Sequence, residues 1–155
     1  YFPVEYGAQV IAEPGRFFVA NAFPLATHVM ARRGGSVFDS SNATPAMIYV
    51  NDGVYGNMNC ILFDHQTPIA HVLSHRGEFL YGDLNPHENN RFQVSLWGPT
   101  CDGLDCISQS TYLSHNVTVG DWLYFPDLGA YTSAAASPFN GFKAQANTVY
   151  VNSEL

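Results

Sequence analysis

Short apolar runs that end at turn-forming residues constrain the fold of this chain more than any other feature. The run Met47–Val50 is apolar and partly β-branched, and it stops at Asn-Asp-Gly (51–53), a strong turn sequence. Residues 92–96, Phe-Gln-Val-Ser-Leu, alternate between apolar and polar side chains, which is the period of a strand with one buried face. Similar short runs occupy residues 60–63, 117–119, 121–125 and 148–151. We therefore predict a mainly β fold in which antiparallel strands form a barrel or a sandwich.

The N-terminal part of the chain carries a different pattern. Residues 9–12 predict a short buried strand, which a Pro-Gly pair then interrupts. The segment from Phe17 to Ala31 is rich in Ala, Leu, Val, Met and Phe, and the Arg-Arg-Gly-Gly at 32–35 is typical of the end of a helix. We therefore predict one strand and one helix in residues 1–35, followed by a β domain in residues 36–155.

Composition and charge exclude several classes of protein. The chain has 155 residues, of which 46% are hydrophobic, and it includes 11 Phe, 9 Tyr and 2 Trp, so it can bury a core and is not intrinsically disordered. Its net charge of −7 argues against nucleic-acid and anionic-membrane partners, because both require a basic surface. No apolar run approaches the ~18 residues that a membrane-spanning helix needs.

The cysteines and the N-terminal residues indicate in which cellular compartment the protein is expected. The three cysteines include no Cys-x-x-Cys pair, so their spacing implies neither a disulfide framework nor a zinc site. We expect a reducing compartment and place the protein in the cytoplasm. The chain begins at Tyr1 without a charged segment followed by an apolar one, so we also expect no secretory signal and a cut or processed N-terminus.

The tetrapeptide Glu13-Pro14-Gly15-Arg16 lies where the predicted strand gives way to the predicted helix. Free backbone N–H groups and the positive helix end at such a place can hold a phosphate, and Arg16 would add a charge-assisted hydrogen bond. The alternative is a Pro-Gly turn with a surface arginine, and the residues alone leave both interpretations open.

The stretch 97–105, Trp-Gly-Pro-Thr-Cys-Asp-Gly-Leu-Asp, places a thiol beside two carboxylates on a glycine-rich loop after a strand. This pattern is typical of the rim of an active site. The carboxylate next to Cys101 disfavours the thiolate, which favours a proton donor over a strong nucleophile. A turn with side-chain hydrogen bonds and a small buried cysteine accounts for the same residues equally well.

Three histidines, His65, His71 and His75, lie close together in the sequence, with Asp64 beside the first. Pro68 interrupts any common helix, so the three rings need not converge on one ion. We therefore predict no metal site.

The segment 129–132, Gly-Ala-Tyr-Thr, is followed by small residues at 134–137. Small side chains would let the backbone approach a ligand or a second subunit closely. A tightly packed strand or turn is an equally good interpretation.

Together these segments resemble the C-terminal part of the eukaryotic ornithine decarboxylases, a family of pyridoxal-phosphate (PLP) enzymes. The matching segments come in the family's order and extend over nearly the whole chain; they are AEPGRFF (12–18), YVNDGVYGNMNCILFDH (49–65), WGPTCDGLD (97–105), VGDWLYF (119–125), GAYT (129–132) and FNGF (139–142). The resemblance implies a mainly β fold like the C-terminal domain of these enzymes, with PLP as cofactor.

The resemblance also implies roles for individual residues. Glu13 would hydrogen-bond the pyridine nitrogen of PLP, and the cofactor phosphate would be held by Gly15, Arg16 and Tyr131. Cys101 would deliver a proton to the decarboxylated carbon. The substrate would be bound through its distal ammonium group and the pocket wall by Asp52, Asp102 and Phe139. In the family the loop with Cys101 completes the active site of the other subunit, which implies a homodimer.

The chain departs from the family in what it lacks. The family's cofactor lysine lies on an N-terminal (β/α)8 barrel, and this chain resembles only the last strand and helix of that barrel. The single lysine, Lys143, does not match the cofactor lysine, and Phe17 stands where the family often has tyrosine. We therefore expect PLP to bind only when a barrel-bearing partner is present, and we do not expect the chain to be competent alone.

Three functional hypotheses follow. The chain is the C-terminal portion of an ornithine-decarboxylase-like enzyme that works on a small-molecule substrate as a homodimer or with a barrel-bearing partner chain. Alternatively, it is a repurposed domain that catalyses a cofactor-independent cyclisation or isomerisation through Cys101, Asp102 and Asp52. The third hypothesis is a non-catalytic binding protein similar to the antizyme inhibitors.

Overall fold

The described part of the chain forms one seven-stranded sheet with several short helical turns. The computed structural model describes residues 3–35, 45–82, 92–143 and 146–151. Within these ranges no helix is long and apolar enough to cross a membrane. The α-helices and strands, in chain order, are α1 (Arg16–Val19), β1 (Leu25–Arg33), β2 (Ala46–Val50), α2 (Cys60–Phe63), β3 (His71–His75), β4 (Glu78–Phe79), β5 (Phe92–Trp97), β6 (Cys106–Leu113) and β7 (Trp122–Phe125). Short 3-10 turns occupy Val4–Tyr6, Ala20–Ala22, Ser133–Ala135 and Phe139–Gly141.

The sheet has the strand order β4-β3-β7-β1-β2-β5-β6. Neighbouring strands are antiparallel except for β2 and β5, which run parallel. The first half of β1 pairs with β7 and the second half with β2, and the register shifts between Val29 and Ala31. Such an irregularity bends a strand, and the sheet curls into a half-barrel. The predicted mainly β fold is confirmed, with one parallel pair among the antiparallel ones.

The core lies on one face of this curled sheet. Strand β2 buries every second residue, and β5 and β7 follow the same alternation, as expected when one face packs and the other meets solvent. The largest fully buried apolar side chains are Phe125, Ile48, Met58, Leu96, Leu113, Leu123, Val29, Val50, Val54 and Val117. The predicted strands at 47–50, 92–96 and 121–125 are therefore confirmed in β2, β5 and β7.

The helix predicted from Phe17 to Ala31 is wrong beyond its first turns. Residues 16–22 form α1 and a 3-10 turn, and Leu25–Arg33 is strand β1. Pro24 disfavours a helical conformation in the preceding residue, and Phe23 is extended, with φ −134° and ψ 98°. Beyond that break, hydrogen bonding to β2 and β7 outweighs the helix propensity of Ala, Leu and Met.

Other elements differ from the sequence-based expectation. The run at 60–63 is a helical turn, and residues 9–12, 117–119 and 148–151 belong to no strand. Residues 1–35 do not form the predicted strand-helix unit, because β1 lies within the sheet. The predicted division of the chain into residues 1–35 and 36–155 stays a prediction.

Candidate functional site

Two loops at one edge of the sheet carry most of the predicted site residues. Strands β2 and β5 run parallel, so the segments that follow them leave the sheet at the same edge. The turn 51–57 follows β2 and contains Asp52, and the loop 98–105 follows β5 and contains Cys101 and Asp102. Residues that are far apart in the sequence therefore meet at this edge.

Asp105 fastens the two loops together. Its carboxylate is buried and accepts the backbone N–H of Val54 at 3.0 Å, from the turn. It also accepts the backbone N–H of Thr100 at 2.9 Å and the Thr100 hydroxyl at 2.7 Å, from its own loop. Gly98 packs so closely that a Cβ there would overlap the Asp105 carboxylate. Sequence reasoning noted Asp105 only as a carboxylate near Cys101 and missed this role.

Asp52 is held by its own turn. One carboxylate oxygen accepts the backbone N–H groups of Gly53 at 2.8 Å and Asn57 at 2.9 Å, and the other accepts the Asn57 side-chain amide at 2.5 Å. A carboxylate offers about four acceptor positions, so roughly one remains for a ligand. The turn therefore fixes this predicted substrate-binding group without fully occupying it.

Asp102 is oriented by two donors. Its Oδ1 accepts the backbone N–H of Leu104 at 3.0 Å, and its Oδ2 accepts the Tyr55 hydroxyl. These two hydrogen bonds, the amide first, lower the pKa of the Asp102 carboxyl below its ordinary value. The same contact, together with partial desolvation and nearby carboxylates, raises the pKa of Tyr55 to about 12. At neutral pH Asp102 is thus a carboxylate and Tyr55 a neutral hydroxyl.

Phe139 joins this group through Tyr55. The two rings stack with their centroids 4.1 Å apart and their planes at 20°. The backbone N–H of Ser137 donates to the Tyr55 carbonyl at 2.8 Å, which ties segment 137–142 to the turn. The predicted substrate-binding residues Asp102 and Phe139 are therefore both in contact with Tyr55, a residue that sequence reasoning did not single out.

Cys101 lies at the exposed rim of the same edge. Its Sγ accepts a hydrogen bond from Asn140 Nδ2 at 3.3 Å. Asn140 has φ +54°, a left-handed conformation that asparagine tolerates better than most residues. Cys101 is therefore not the buried cysteine of the alternative interpretation, whereas the side-chain hydrogen bonds of Asp102 and Asp105 are those of the turn that the same alternative describes.

An open cleft lies between the two loops and segment 137–143. Its empty space amounts to about 270 Å³, including the open solvent at its mouth. Lys143, which sequence reasoning set aside, contributes to its wall. The lining residues are Asn51, Asp52, Gly53, Tyr55, Gly56, Pro99, Thr100, Asp105, Ser137, Phe142 and Lys143.

The predicted phosphate ligands form a second cluster. The Arg16 guanidinium lies over the ring of Tyr131, with 5.4 Å between the guanidinium carbon and the ring centroid. Gly15 faces the Tyr131 hydroxyl, and a Cβ at Gly15 would lie only 2.6 Å from that oxygen. Arg16 also forms an ion pair with Asp64, whose role sequence reasoning did not predict. Gly15, Arg16 and Tyr131 thus come together as expected, from segments far apart in the chain.

Close backbone packing places Tyr131 beside Arg16. The N–H of Gly129 donates to the carbonyl of Ala20 at 2.9 Å, and that of Leu128 donates to the carbonyl of Phe23 at 3.1 Å. A Cβ at Gly129 would overlap the carbonyl of Val19. The packing within the chain therefore favours the alternative interpretation of residues 129–132, a tightly packed turn.

Asn59 connects the two clusters. This buried side chain donates through Nδ2 to the carbonyl of Gly56 at 2.7 Å, in the turn that carries Asp52, and also to the carbonyl of Thr132, next to Tyr131. The spacing of Asn59 from Tyr131 in the sequence gave no indication of this link. One buried amide thus fixes the phosphate cluster relative to the cleft.

Glu13 stands apart from both clusters. It is exposed in an irregular segment before Arg16, and no hydrogen bond or ion pair joins its carboxylate to another residue in the described part of the chain. The structure therefore does not test the predicted contact of Glu13 with a pyridine nitrogen, which stays a prediction.

The histidines have separate surroundings. The His71 ring stacks on Tyr124, with 5.1 Å between centroids, and His75 Nδ1 lies 2.8 Å from Asp121 Oδ2. Among residues 3–35, 45–82, 92–143 and 146–151, no group of three histidine, cysteine or acidic side chains is arranged to hold a metal ion.

Comparison with known proteins gives a consistent family. The family model described as "Pyridoxal-dependent decarboxylase, C-terminal sheet domain" matches residues 16–129. The ornithine decarboxylase of Saccharomyces cerevisiae is 55% identical over 166 residues, which cover 100% of this chain and 34% of the yeast protein. The ornithine decarboxylase of Rattus norvegicus is 47% identical over 160 residues, covering 99% of this chain and 32% of the rat protein. The chain thus spans about a third of the length of these relatives, which are lyases.

Solved structures of related decarboxylases share the fold. The arginine decarboxylase of Paramecium bursaria Chlorella virus, bound to agmatine, superposes with a TM-score of 0.67 at 32% identity, covering 84% of this chain and 31% of the viral chain. The lysine/ornithine decarboxylase of Vibrio vulnificus, complexed with cadaverine, gives 0.66 at 31% identity, covering 86% of this chain and 31% of the bacterial one. The resemblance inferred from the sequence segments is confirmed. This chain belongs to the pyridoxal-dependent decarboxylase family and corresponds to the family's C-terminal sheet domain.

Proposed function

We propose that this chain supplies the C-terminal part of a PLP-dependent amino-acid decarboxylase that acts on ornithine. The observation that carries the proposal is the link through Asn59 between the Arg16–Tyr131 cluster and the cleft that contains Asp52. The Arg16–Tyr131 cluster is suited to an anionic phosphate, and the carboxylates of Asp52 and Asp102 are suited to a cationic ammonium. An amino acid with two amino groups, held on PLP, presents both kinds of charge.

The residues around Arg16 fit the phosphate of PLP. Arg16 provides a cation, Tyr131 provides a hydroxyl, and Gly15 leaves room for that hydroxyl, which a Cβ would meet at 2.6 Å. Glu13 is assigned to the pyridine nitrogen by family resemblance, where a carboxylate would keep that nitrogen protonated. When bound, PLP supplies an electron sink for the electron pair that CO2 leaves behind on the substrate.

Residues in and beside the cleft would bind the substrate and move the proton. The carboxylates of Asp52 and Asp102 are both held by hydrogen bonds before a ligand arrives. In a homodimer, the distal ammonium of one substrate would meet Asp52 of one subunit and Asp102 of the other. Phe139 would contact the methylene groups between the two amino groups. Cys101 Sγ would give its proton to the carbon that has lost CO2.

A barrel that bears the cofactor lysine is required, on the same polypeptide or on a partner chain. The substrate is then shared between the barrel and this sheet domain, and we propose a homodimer in which the Cys101 loop serves the opposite subunit. The three free cysteines are compatible with a reducing compartment, and we propose that the protein acts in the cytoplasm.

The proposal is tested with a chimera in which this chain replaces the matching C-terminal third of the yeast ornithine decarboxylase. We expect the chimera to bind PLP and to release CO2 from ornithine. Cys101→Ala should lower kcat by about a hundredfold or more, as is typical when a general acid is lost. The control Cys106→Ala, which removes a thiol outside the cleft, should retain activity.

A folded chimera that binds PLP but does not turn over ornithine would refute the proposed function. Native mass spectrometry of the isolated chain then distinguishes the remaining hypotheses. A bound small molecule whose conversion depends on Asp102 indicates a cofactor-independent enzyme, and tight binding to a decarboxylase subunit without turnover indicates a binding protein.

A further inference from the structure

Tyr55 contacts both of the other segments that form the cleft. Its hydroxyl donates to Asp102 Oδ2 in the loop after β5. Its ring stacks on Phe139, and its carbonyl accepts the N–H of Ser137 at 2.8 Å. Tyr55 itself belongs to the turn after β2 and is half-buried.

These contacts set the position of Asp102 relative to Phe139. Oδ1 of Asp102 is bound by the Leu104 amide at 3.0 Å and Oδ2 by the tyrosine hydroxyl, so rotation of the carboxylate is restricted at both oxygens. The stacked Phe139 ring lies on the same tyrosine, with 4.1 Å between centroids. The anionic group and the apolar wall are therefore held by a single rigid aromatic side chain.

Each carboxylate oxygen of Asp102 retains a free acceptor position. A carboxylate has about four such positions, and the two donors occupy two of them. The remaining positions are available to an ammonium group, and their location is determined by the tyrosine hydroxyl. A longer or shorter substrate would place its ammonium away from them.

We propose that Tyr55 is a positioning residue that fixes Asp102 against Phe139 and thereby selects the chain length of the diamino-acid substrate. This inference rests on the proposed function, because it assigns the selectivity of the same cleft. Without the hydroxyl, Asp102 Oδ2 loses its donor and the carboxylate can follow a longer substrate. The discrimination between ornithine and lysine should then weaken.

The test uses the chimera with Tyr55→Phe, which retains the ring that stacks on Phe139. Loss of a hydrogen bond to a charged group should raise KM for ornithine by about tenfold. We expect kcat to change by less than about threefold, because Asp102 binds the end of the substrate distant from the reacting carbon. KM for lysine should change less, so the preference for ornithine over lysine should fall by about fivefold or more. A general structural defect would instead lower kcat for both substrates.

The matched control is Tyr112→Phe, which removes a hydroxyl from an exposed tyrosine on β6, outside the cleft. It should leave both KM values unchanged. An active parent chimera in which Tyr55→Phe alters neither KM nor the substrate preference overturns the inference while the proposed function stands. An inactive parent that folds and binds PLP overturns the proposed function itself.

A second measurement tests the contact without any activity. In the parent, 13C NMR of the Asp102 carboxyl carbon should show a pKa below the ordinary carboxyl value, because the Leu104 amide and the Tyr55 hydroxyl both stabilise the charged form. Tyr55→Phe should shift this pKa upward, and Tyr112→Phe should not. Equal Asp102 pKa values in the parent and in Tyr55→Phe would show that the hydroxyl does not hold the carboxylate, and would overturn the inference.

Discussion

The carboxylate of Asp105 lies 3.0 Å from the backbone nitrogen of Val54, and this hydrogen bond joins the loop after β5 to the turn after β2. The parallel pairing of β2 and β5 brings the two loops to one edge of the sheet, but it does not fix them against each other. The Asp105 side chain does so by accepting donors from both. The arrangement of Asp52 and Asp102 therefore depends on the hydrogen bonds that a third carboxylate, Asp105, accepts from both loops.

Replacing Asp105 with asparagine should destabilise the fold. The variant keeps the shape of the side chain, but its NH2 group opposes the N–H of either Val54 or Thr100. A buried donor that loses a charged acceptor costs about 1.5–3 kcal/mol of the free energy of unfolding. Urea unfolding followed by circular dichroism measures this loss.

The control for Asp105 is the same change at Asp127, which is exposed and has φ +60°, a conformation that asparagine accepts. Asp127→Asn should alter the free energy of unfolding by less than about 0.5 kcal/mol. Equal urea midpoints for the two variants would contradict the role of Asp105 as the link between the loops.

Asp121 should make the free energy of unfolding depend on pH in the acid range. Burial by itself would raise the pKa of this carboxyl, but hydrogen bonds from the amides of Thr118 and Arg76 and from His75 outweigh it and lower the pKa below its ordinary value of 3.8. A carboxyl with a lowered pKa stabilises the fold above its unfolded pKa, and this contribution is lost as pH falls through the folded pKa. The free energy of unfolding should therefore decrease as the pH drops below about 4.

Asp121→Asn removes this titration. At neutral pH the variant should be less stable by about 1.5–3 kcal/mol, because buried donors lose a charged acceptor. Between about pH 5 and 2 its urea midpoint should fall less steeply than that of the parent chain. Parallel pH profiles for the two proteins would show that Asp121 titrates alike in the folded and unfolded chains.

Part of this fold could be predicted from the sequence, and the exceptions have physical reasons. Strands β2, β5 and β7 bury alternate residues, so their apolar pattern identified them. Strand β1 has the composition of a helix, and only its pairing with β2 and β7 makes it a strand. Strand β6 is an edge strand rich in polar residues, so periodicity did not predict it.

The candidate site, like the fold, was predicted from the sequence only in part. Family resemblance located Gly15, Arg16 and Tyr131, and the structure brings them together. The residues that hold such groups in place, Asp105 and Asn59, act through donors and acceptors distant in the sequence. No local pattern encodes a contact of that kind, so only the folded structure reveals it.

The three thiols should differ in reactivity toward iodoacetamide. Cys101 is exposed, whereas Cys60 is buried and Cys106 half-buried. Burial raises the pKa of Cys60, and burial together with the nearby Asp105 carboxylate raises that of Cys106, so both thiols react more slowly as nucleophiles. Peptide mass spectrometry at neutral pH should find Cys101 alkylated at least about tenfold faster. In concentrated urea the three rates should converge, and alkylation of Cys60 as fast as Cys101 in the native chain would contradict this order.

Gly129→Ala should separate the segment that carries Tyr131 from the segment that carries Arg16. The added Cβ would overlap the carbonyl of Val19 and would lie 3.0 Å from the carbonyl oxygen of Ala20. Overpacking of this kind costs about 1–3 kcal/mol of the free energy of unfolding. It should also weaken the hydrogen bond from the Gly129 N–H to Ala20. Hydrogen exchange of amides 128–132 should therefore accelerate together with a lower urea midpoint.

The matched control for Gly129 is Gly103→Ala, because a Cβ at Gly103 meets no atom within 4 Å. That variant should change the free energy of unfolding by less than about 0.5 kcal/mol and leave exchange at 128–132 unaltered. The two alanines add the same methyl group, so any difference between them reports the local packing. If Gly129→Ala matches Gly103→Ala in both measurements, the contact between residue 129 and the Val19–Ala20 backbone does not position Tyr131. If only Gly129→Ala changes both measurements, the position of Tyr131 beside Arg16 depends on a close backbone approach that only glycine permits at residue 129.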